Sequence, residues 1–377
     1  MATANRRIVL AIPTDHAFLR DLLCGAARHL RARRRPLIHL PDLDGLDGCP
    51  PWVAGLIVPV VKPEWVARLR RLQRQGRPVV NVAPMLDDLP LPSVVTGNHA
   101  IGALAAEHLL ARGHRRFGFL PGPDGQAFPE RFAGFREALA AHQLPCELIA
   151  AATLRGNART AAISRWIRDV AKPAAIFAGN DFHARTAAQA CQDAGIAVPG
   201  HLAILGVGND EVWCETAQPS LSSIDLDSRR IGDLAASLLL RLIDGGPQPP
   251  APLVVPPARV VVRESTDRLA VADPRLADLL GHLRDHPDGS VDVAGLVSRS
   301  GRSRRSLELL CREQLGDSPA RLVARARIDR AQVLLTQTAE PLRRIAELLG
   351  FSSLIHFARV FRRYTGMNPS AWRRQQA

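Results

Sequence analysis

Lysine is nearly absent from this sequence of 377 residues: only Lys62 and Lys172 occur, and arginine supplies the rest of the 49 basic side chains. A GC-rich genome produces the same bias, so the number of arginines alone indicates no ligand. Long apolar runs are also lacking, because none approaches the ~20 residues that a membrane-spanning helix needs. The apolar run near the N-terminus has six residues, which is too short for a signal peptide. These absences predict a cytoplasmic protein with no membrane partner.

Cysteine is scarce and scattered, since the six cysteines form no CxxC pair, and this pattern argues against a disulfide framework and a zinc site. His282 and His286 have the spacing of a helical metal pair, but no third ligand accompanies them. The turns "PGPDGQ" and "GVGND" match neither a GxGxxG nor a Walker loop. We therefore expect no metal and no cofactor.

Positive charge is abundant and unevenly placed. Residues 290–377 hold 16 arginines against 7 acidic residues, a net charge of +9 out of +13 for the whole chain. Because concentrated basic charge on one domain favours a polyanionic partner, this distribution indicates that the C-terminal region binds a polyanion. The helix pattern described below makes double-stranded DNA the expected polyanion.

The order of apolar patterns divides the chain in two. Up to residue 266, short apolar β-type runs alternate with stretches of helix length, which predicts a doubly wound α/β fold with parallel sheets. A proline-rich stretch at 245–266 contains β-branched runs, so it predicts extended edge segments. Beyond it the periodicity is purely helical. We place the boundary near 267–273, between an α/β domain at 6–266 and an all-α domain at 273–377.

The helical region contains one pattern twice. In each copy a short helix reaches a glycine turn, and Ser303 or Ser353 then caps a second, basic helix. The caps lie 50 residues apart, and one long helix is predicted between the copies. Two helix-turn-helix units on such a spacer could enter successive major grooves, about 10 base pairs apart. The alternative interpretation is an amphipathic bundle with a solvated arginine face.

Residues 273–374 closely resemble the DNA-binding domain of the AraC/XylS transcription activators. The second unit carries that family's pattern at Ile345, Ala346, Gly350, Phe351, Ser353, Phe357, Arg359, Phe361, Arg362, Arg363, Gly366, Pro369 and Arg373. The resemblance implies DNA-binding roles for Arg304, Arg305, Glu308, Arg312, Ser353, Ile355, His356, Arg359, Arg362 and Arg363. This sequence departs from the family at Leu309, Ile355 and His356, where bases would be read.

Polar residues follow two strands of the α/β region, at the sheet edge where ligands bind. Asn180-Asp181 and Asn209-Asp210 each come directly after an apolar run, and Arg131 begins a helix after a glycine/proline loop. Such a set suits a polyhydroxylated ligand, with the guanidinium donating paired hydrogen bonds to its oxygens. The alternative for each Asn-Asp pair is a helix cap and nothing more.

Residues 6–266 look like the periplasmic-binding-protein-like sugar sensor of LacI/GalR repressors, without the N-terminal helix-turn-helix of that family. The matching stretches are "AAEHLLARGHRRFGFLPG", "GNDFHARTAAQACQDAGIAVP" and "PSLSSIDLDSRRIGDLAASLL". The resemblance implies that Asn81, Arg131, Asn180 and Asn209 lie in or beside sugar-contacting loops. Gly97 and Gly208 depart from it, because they stand where relatives often have aspartate.

A sugar sensor joined to an AraC-type tail is similar to the layout of the XylR-like regulators. The resemblance implies a homodimer that activates transcription with RNA polymerase under the control of a sugar such as xylose. One alternative is a sugar-processing enzyme with a basic oligomerisation tail, but no motif links Asp181, Asp210 or Arg131 to a reaction, so we expect no enzyme. Another is a DNA binder with a vestigial sensor. The basic stretch 28–36 is interpreted as a solvated helix end, with accessory DNA contact as its alternative.

Overall fold

The computed structural model describes residues 6–44, 46, 50–60, 62–83, 90–122, 127–151, 154–267, 273–286, 290–315, 317–338 and 340–376. The chain forms two compact units, Met1–Asp267 and Arg268–Ala377. Residues 268–272 of the predicted boundary lie outside the described residues. Within the described part of the chain, no helix is long and apolar enough to cross a membrane.

The first unit contains twelve described strands, most of them short and buried. They are β1 (Arg7–Ala11), β2 (Leu37–Leu40), β3 (Val53–Val58), β4 (Val79–Asn81), β5 (Val94–Thr96), β6 (Phe117–Leu120), β7 (Cys146–Leu148), β8 (Ala174–Ala178), β9 (Leu202–Val207), β10 (Ser222–Asp225), β11 (Leu253–Val255) and β12 (Arg259–Val261). Its helices are α1 (Ala17–Ala32), α2 (Trp65–Arg74), α3 (Asn98–Ala111), α4 (Ala127–Ala140), α5 (Gly156–Asp169), α6 (Asp181–Asp193), α7 (Glu211–Glu215) and α8 (Ser228–Ile243), with a 3-10 turn at Glu264–Thr266.

Ten of these strands build two sheets, which are mainly parallel as predicted, and each of these two sheets is the centre of one lobe. The N-lobe sheet has the order β2-β1-β3-β4, and the C-lobe sheet has the order β12-β10-β9-β8-β6-β7. The edge strand β12 is antiparallel to β10, whereas the other pairs of the C-lobe sheet are parallel. The predicted extended segments of the proline-rich stretch are confirmed as β11 and β12, of which β11 pairs with β5.

Helices cover both sheets, which explains why the central strands are apolar along their whole length. Helices α1 and α8 pack together on the N-lobe, while α3 and α4 pack together on the C-lobe. Between described elements the chain passes from one lobe to the other three times, after β5, after β10 and after β11. The first unit is therefore two-lobed, and the carboxyl ends of its strands border the space between the lobes.

The second unit is helical throughout its described residues. Its helices are α9 (Pro274–Asp285), α10 (Val293–Ser300), α11 (Arg304–Leu315), α12 (Pro319–Gln337), α13 (Leu342–Leu348), α14 (Leu354–Thr365) and α15 (Pro369–Gln376). The predicted connecting helix is confirmed as α12, which contributes Leu322 and Val323 to one apolar core and Ile328, Ala331 and Leu335 to another. Each core belongs to one helix-turn-helix copy, so the unit consists of two small subdomains on one helix.

Glycines end the first helix of each helix-turn-helix copy. Gly301 and Gly350 have φ angles of +62° and +69°, in the left-handed region that favours glycine. The apolar pattern predicts the first helix of the first copy over 293–299. Helix α10 extends one residue further, to Ser300, and Pro341 directly precedes α13. The sequence patterns thus predicted these turns to within a residue.

Candidate functional site

The two predicted polar pairs meet at the carboxyl edge of the C-lobe sheet. The side-chain oxygen of Asn180 accepts a hydrogen bond from the His183 amide at 2.9 Å and caps α6. The Asp181 carboxylate is only 2% exposed and accepts from the Ser223 hydroxyl at 2.5 Å and the Asp210 amide at 2.8 Å. Burial raises the pKa of Asp181 to about 6. Asp181 therefore joins the loop after β8 to the loop after β9.

The second pair, Asn209-Asp210, contacts Arg263 and the first helix of the N-lobe. Asn209 has a left-handed φ of +49°, and its side-chain oxygen accepts from the Arg263 guanidinium at 3.0 Å. Asp210 caps α7 by accepting from the Val212 amide at 3.1 Å. Its other carboxylate oxygen accepts from the Ala17 amide of the N-lobe, also at 3.1 Å. Helix α1 begins there without a side-chain cap of its own, so a C-lobe carboxylate caps an N-lobe helix.

Arg131 and Asn81, the remaining predicted ligand residues, are both buried. The Arg131 guanidinium donates to the Asn98 side-chain oxygen at 2.8 Å and to the carbonyl of Gly179, directly before Asn180. Burial lowers the pKa of Arg131 to about 10. Asn81 ends β4 in the N-lobe, and its oxygen accepts from the Val60 and Ala83 amides at 3.1 Å each. Five of the six predicted residues thus cluster on the C-lobe edge, and Asn81 lies on the N-lobe edge.

Gly97 and Gly208 stand where relatives often have aspartate, and backbone geometry explains the glycine at one of these two positions. Gly208 has a φ of +123°, which side chains rarely adopt, and a Cβ there would lie 3.2 Å from the Asp181 carboxylate. Gly97 donates its amide to the Val255 carbonyl at 2.8 Å, where the lobes are joined, and its φ of −74° is ordinary. An aspartate at 208 would therefore be strained and repelled by Asp181, whereas an aspartate at 97 would meet no backbone strain.

Sequence reasoning missed apolar side chains at the same edges. Phe18, in the first turn of α1, packs against the cores of both lobes. Phe182 is 49% exposed, and its ring lies edge-on to Trp213 with centroids 5.4 Å apart. The Arg185 guanidinium lies 5.4 Å from the Trp213 ring. Phe182 directly follows the predicted polar pair Asn180-Asp181, and this position was the signal that could have identified it, because sugar rings present apolar faces that aromatic rings can cover.

In the second unit, both predicted caps are confirmed. The Ser303 hydroxyl accepts from the Ser306 amide at 3.2 Å, and the Ser353 hydroxyl accepts from the His356 amide at 3.1 Å. From cap to eighth residue, α11 and α14 have the same succession of exposed, half-buried and buried positions. Leu307 and Phe357 are the equivalent buried anchors, 1% and 0% exposed. The two basic helices therefore expose equivalent positions.

The predicted DNA-contacting residues lie on these surfaces. Exposed positions are Arg304, Arg305, Arg312, Ser353, Ile355, Arg359, Arg362 and Arg363, while Glu308 and His356 are half-buried. Glu308 accepts from Arg304, one helical turn earlier, at 3.3 Å. The His356 ring lies edge-on to Phe351, and its Nδ1 is 3.3 Å from the Ser352 hydroxyl. Each of the two helices thus exposes several arginines, which can neutralise phosphates.

Arg327, at the middle of α12, was missed by sequence reasoning. Its guanidinium donates to the Gly350 carbonyl at 3.1 Å and to the Val291 carbonyl at 3.3 Å. Val291 belongs to the core of the first copy, and Gly350 is the turn of the second. Arg327 therefore links the two helix-turn-helix copies directly.

Comparison with known proteins agrees with both units. A periplasmic binding protein-like domain matches residues 106–266, and a helix-turn-helix domain matches residues 296–375. The xylose operon regulatory protein of Escherichia coli (strain K12) is 26% identical over 386 aligned positions, covering 99% of this chain and 98% of that protein. The protein of the same name from Haemophilus influenzae is 27% identical over 75% of this chain and 74% of its own length. The solved structure of the xylose-binding transcription activator XylR matches over the full length of both chains, with 25% identity and a TM-score of 0.65.

The protein is thus a DNA-binding transcription regulator in which a periplasmic-binding-protein-like sensor precedes an AraC-type double helix-turn-helix domain. Its relatives are regulators rather than enzymes, which decides against the enzyme alternative. Within that class, the chain is similar over its full length to the xylose operon regulator XylR.

Proposed function

We propose that this chain activates transcription in the cytoplasm when a small sugar, xylose or a related pentose, binds between the lobes of its sensor. The observation that carries the proposal is the union, in one chain, of a two-lobed sugar-sensor fold and two equivalent basic helices. Relatives covering the whole chain are named for xylose operons, which supports a pentose and supports activation. The regulator works as a homodimer with RNA polymerase as its partner, as the family resemblance implies.

The sensor at 6–266 holds the effector between the loops already described. Arg131, Asn180, Asp181, Asn209 and Asp210 supply donors and acceptors from the C-lobe, and Asn81 supplies them from the N-lobe. Several of their oxygens already bind backbone amides, but a carboxylate oxygen has a second lone pair for a sugar hydroxyl. Because Gly208 excludes a carboxylate, Asp210 is the acceptor that a hydroxyl meets nearest to α1.

Effector binding must favour one arrangement of the lobes to act on the DNA-binding domain at 273–377. Helix α3 has suitable contacts at both ends. Asn98, at its start, accepts from Arg131 at the candidate effector site. At its end, His108 lies 2.9 Å from the Thr266 hydroxyl, and Arg112 donates to the Thr266 carbonyl at 2.5 Å. Thr266 is the penultimate residue of the first unit, so a movement of α3 would reach the C-terminal end of that unit.

The proposed DNA contacts are those of α11 and α14. The residues nearer the caps face base edges: Arg304, Arg305 and Glu308 in α11, and Ile355, His356 and Arg359 in α14. The residues that contact phosphates lie further along the helices and are Arg312, Arg362 and Arg363. Ser353 holds the start of the second reader in place. An arginine at a base should show sequence-dependent binding, whereas one at a phosphate should weaken binding to all sequences equally.

Two measurements on the full chain test the proposal. Thermal denaturation against a panel of pentoses and hexoses should show one pentose raising the transition, by about 2.7 kcal/mol of stabilisation at a hundredfold excess over Kd. A gel-shift titration with the DNA upstream of its own gene should show binding that the same pentose strengthens. If no sugar stabilises the chain while DNA still binds, the sensor is vestigial and the effector proposal is wrong.

A further inference from the structure

Each reader helix exposes two positions that are equivalent between α11 and α14. Counting the serine cap as zero, the second and sixth residues are Arg305 and Leu309 in the first helix. They are Ile355 and Arg359 in the second. All four are exposed, whereas the fourth residue of each helix is its buried anchor. Positions four apart lie on one helical face, so each helix presents one arginine and one aliphatic side chain side by side.

The two helices present this pair in opposite order. In α11 the arginine is nearer the cap, and in α14 the aliphatic residue is nearer the cap. Ile355 is 82% exposed and Leu309 is 59% exposed, more than the other exposed aliphatic residues of the second unit, which reach 41%. Such exposure contributes nothing to the cores of either subdomain, so folding does not explain why these two side chains are apolar.

Base chemistry in the major groove offers partners for both types of side chain. A guanidinium donates two hydrogen bonds to O6 and N7 of guanine, and an aliphatic group packs against the C5-methyl of thymine. Four residues of helix span about 6 Å, and stacked bases are about 3.4 Å apart, so the two contacts fall about two base pairs apart.

We propose that Leu309 and Ile355 each read a thymine methyl, and that the two helices read guanine and thymine in mirrored order. The inference rests on the proposed DNA contacts and adds the identity of the bases. An operator for this protein would carry two half-sites separated by about one helical turn, and each half-site would contain one guanine and one thymine that the protein reads. Counted from each cap, guanine comes first under α11, and thymine comes first under α14.

The experiment begins with selection of DNA by the full-length protein from a random-sequence duplex library at fixed salt. Each thymine of the selected sequence is then replaced by deoxyuridine, which differs only in lacking the methyl group. Wild type should lose about fourfold in affinity at one thymine per half-site, the equivalent of one buried methyl group at about 0.8 kcal/mol. Ile355→Ala should bind the thymine and deoxyuridine versions of the second half-site equally.

Two further variants complete the test. Leu348→Ala trims another exposed leucine, outside both reader helices, and should keep the full deoxyuridine effect. The exchange Ile355→Arg with Arg359→Ile should select sequences in which the order within the second half-site is reversed. If no thymine is sensitive to deoxyuridine, or if Ile355→Ala keeps the sensitivity of both half-sites, the base assignment is wrong while the reader helices stand. If selection enriches no sequence at all, the proposed DNA contacts fail as well.

Discussion

Arg327→Ala should uncouple the two helix-turn-helix copies without removing any DNA contact. The arginine donates to one carbonyl in each copy, at 3.1 and 3.3 Å, and its guanidinium lies 5.9 Å from the Phe351 ring. Charged hydrogen bonds contribute about 1.5–3 kcal/mol each, and both of these are long, so we take the low end of that range. The two bonds together would give about 3 kcal/mol at that value. Partial exposure to solvent reduces this total, and we expect a loss of about 2 kcal/mol in the coupling between the copies.

Coupling matters only when both copies bind one DNA molecule, because the second contact is then intramolecular. A duplex with both half-sites should therefore bind Arg327→Ala about 30-fold more weakly, since 1.4 kcal/mol corresponds to tenfold. A duplex with one half-site should bind almost as it binds wild type. The measurement is fluorescence anisotropy with the two duplexes at the same salt concentration.

Arg325→Ala is the matched control, because Arg325 lies on the same helix and is exposed. This substitution removes the same charge, and any loss of affinity that it causes should be equal for the two duplexes. Equal losses of Arg327→Ala on the two duplexes would show that the arginine supports folding rather than spacing. No loss on either duplex would refute the assigned role entirely.

Three other perturbations have expected outcomes. Ser353→Ala removes the cap of α14 and should cost about 1 kcal/mol in urea unfolding. Ser353→Thr should restore this loss, and Ser370→Ala, at an exposed serine of α15, is the control. Asp210→Ala removes the hydrogen bond to Ala17 and should separate the lobes, seen as a longer distance between spin labels placed one on each lobe; an unchanged distance contradicts this. Burial lowers the pKa of His114 from 6.5 to about 3. The contribution of His114 to the free energy of unfolding is therefore complete above pH 6.5 and should decline as the pH falls towards 3. That loss is about 2 kcal/mol at pH 5, and His114→Phe should lose less stability between pH 7 and pH 5 than wild type does.

The structure of the DNA-binding domain was easier to predict from the sequence than the structure of the sensor. Each cap is a contact between residues three apart, and each turn needs a left-handed residue that only glycine supplies readily. Local rules therefore placed Ser303, Ser353, Gly301 and Gly350 from the sequence. The link made by Arg327 joins residues 36 and 23 positions away, so no local pattern could have indicated it.

The sensor shows why a polar residue can be placed by its sequence and still not be assigned a partner. Asn180-Asp181 and Asn209-Asp210 lie at the predicted sheet edge because parallel strands bring their carboxyl ends together. Where each oxygen points depends on distant residues: Ser223 for Asp181, 42 positions away, and Ala17 for Asp210, 193 positions away. The interpretation as a helix cap is correct for Asn180, since its oxygen accepts from the His183 amide. For Asp210 it accounts for only one of the two contacts of the carboxylate. That carboxylate caps one helix in its own lobe and another in the opposite lobe, so the group that holds α7 also bridges the lobes whose arrangement an effector would control.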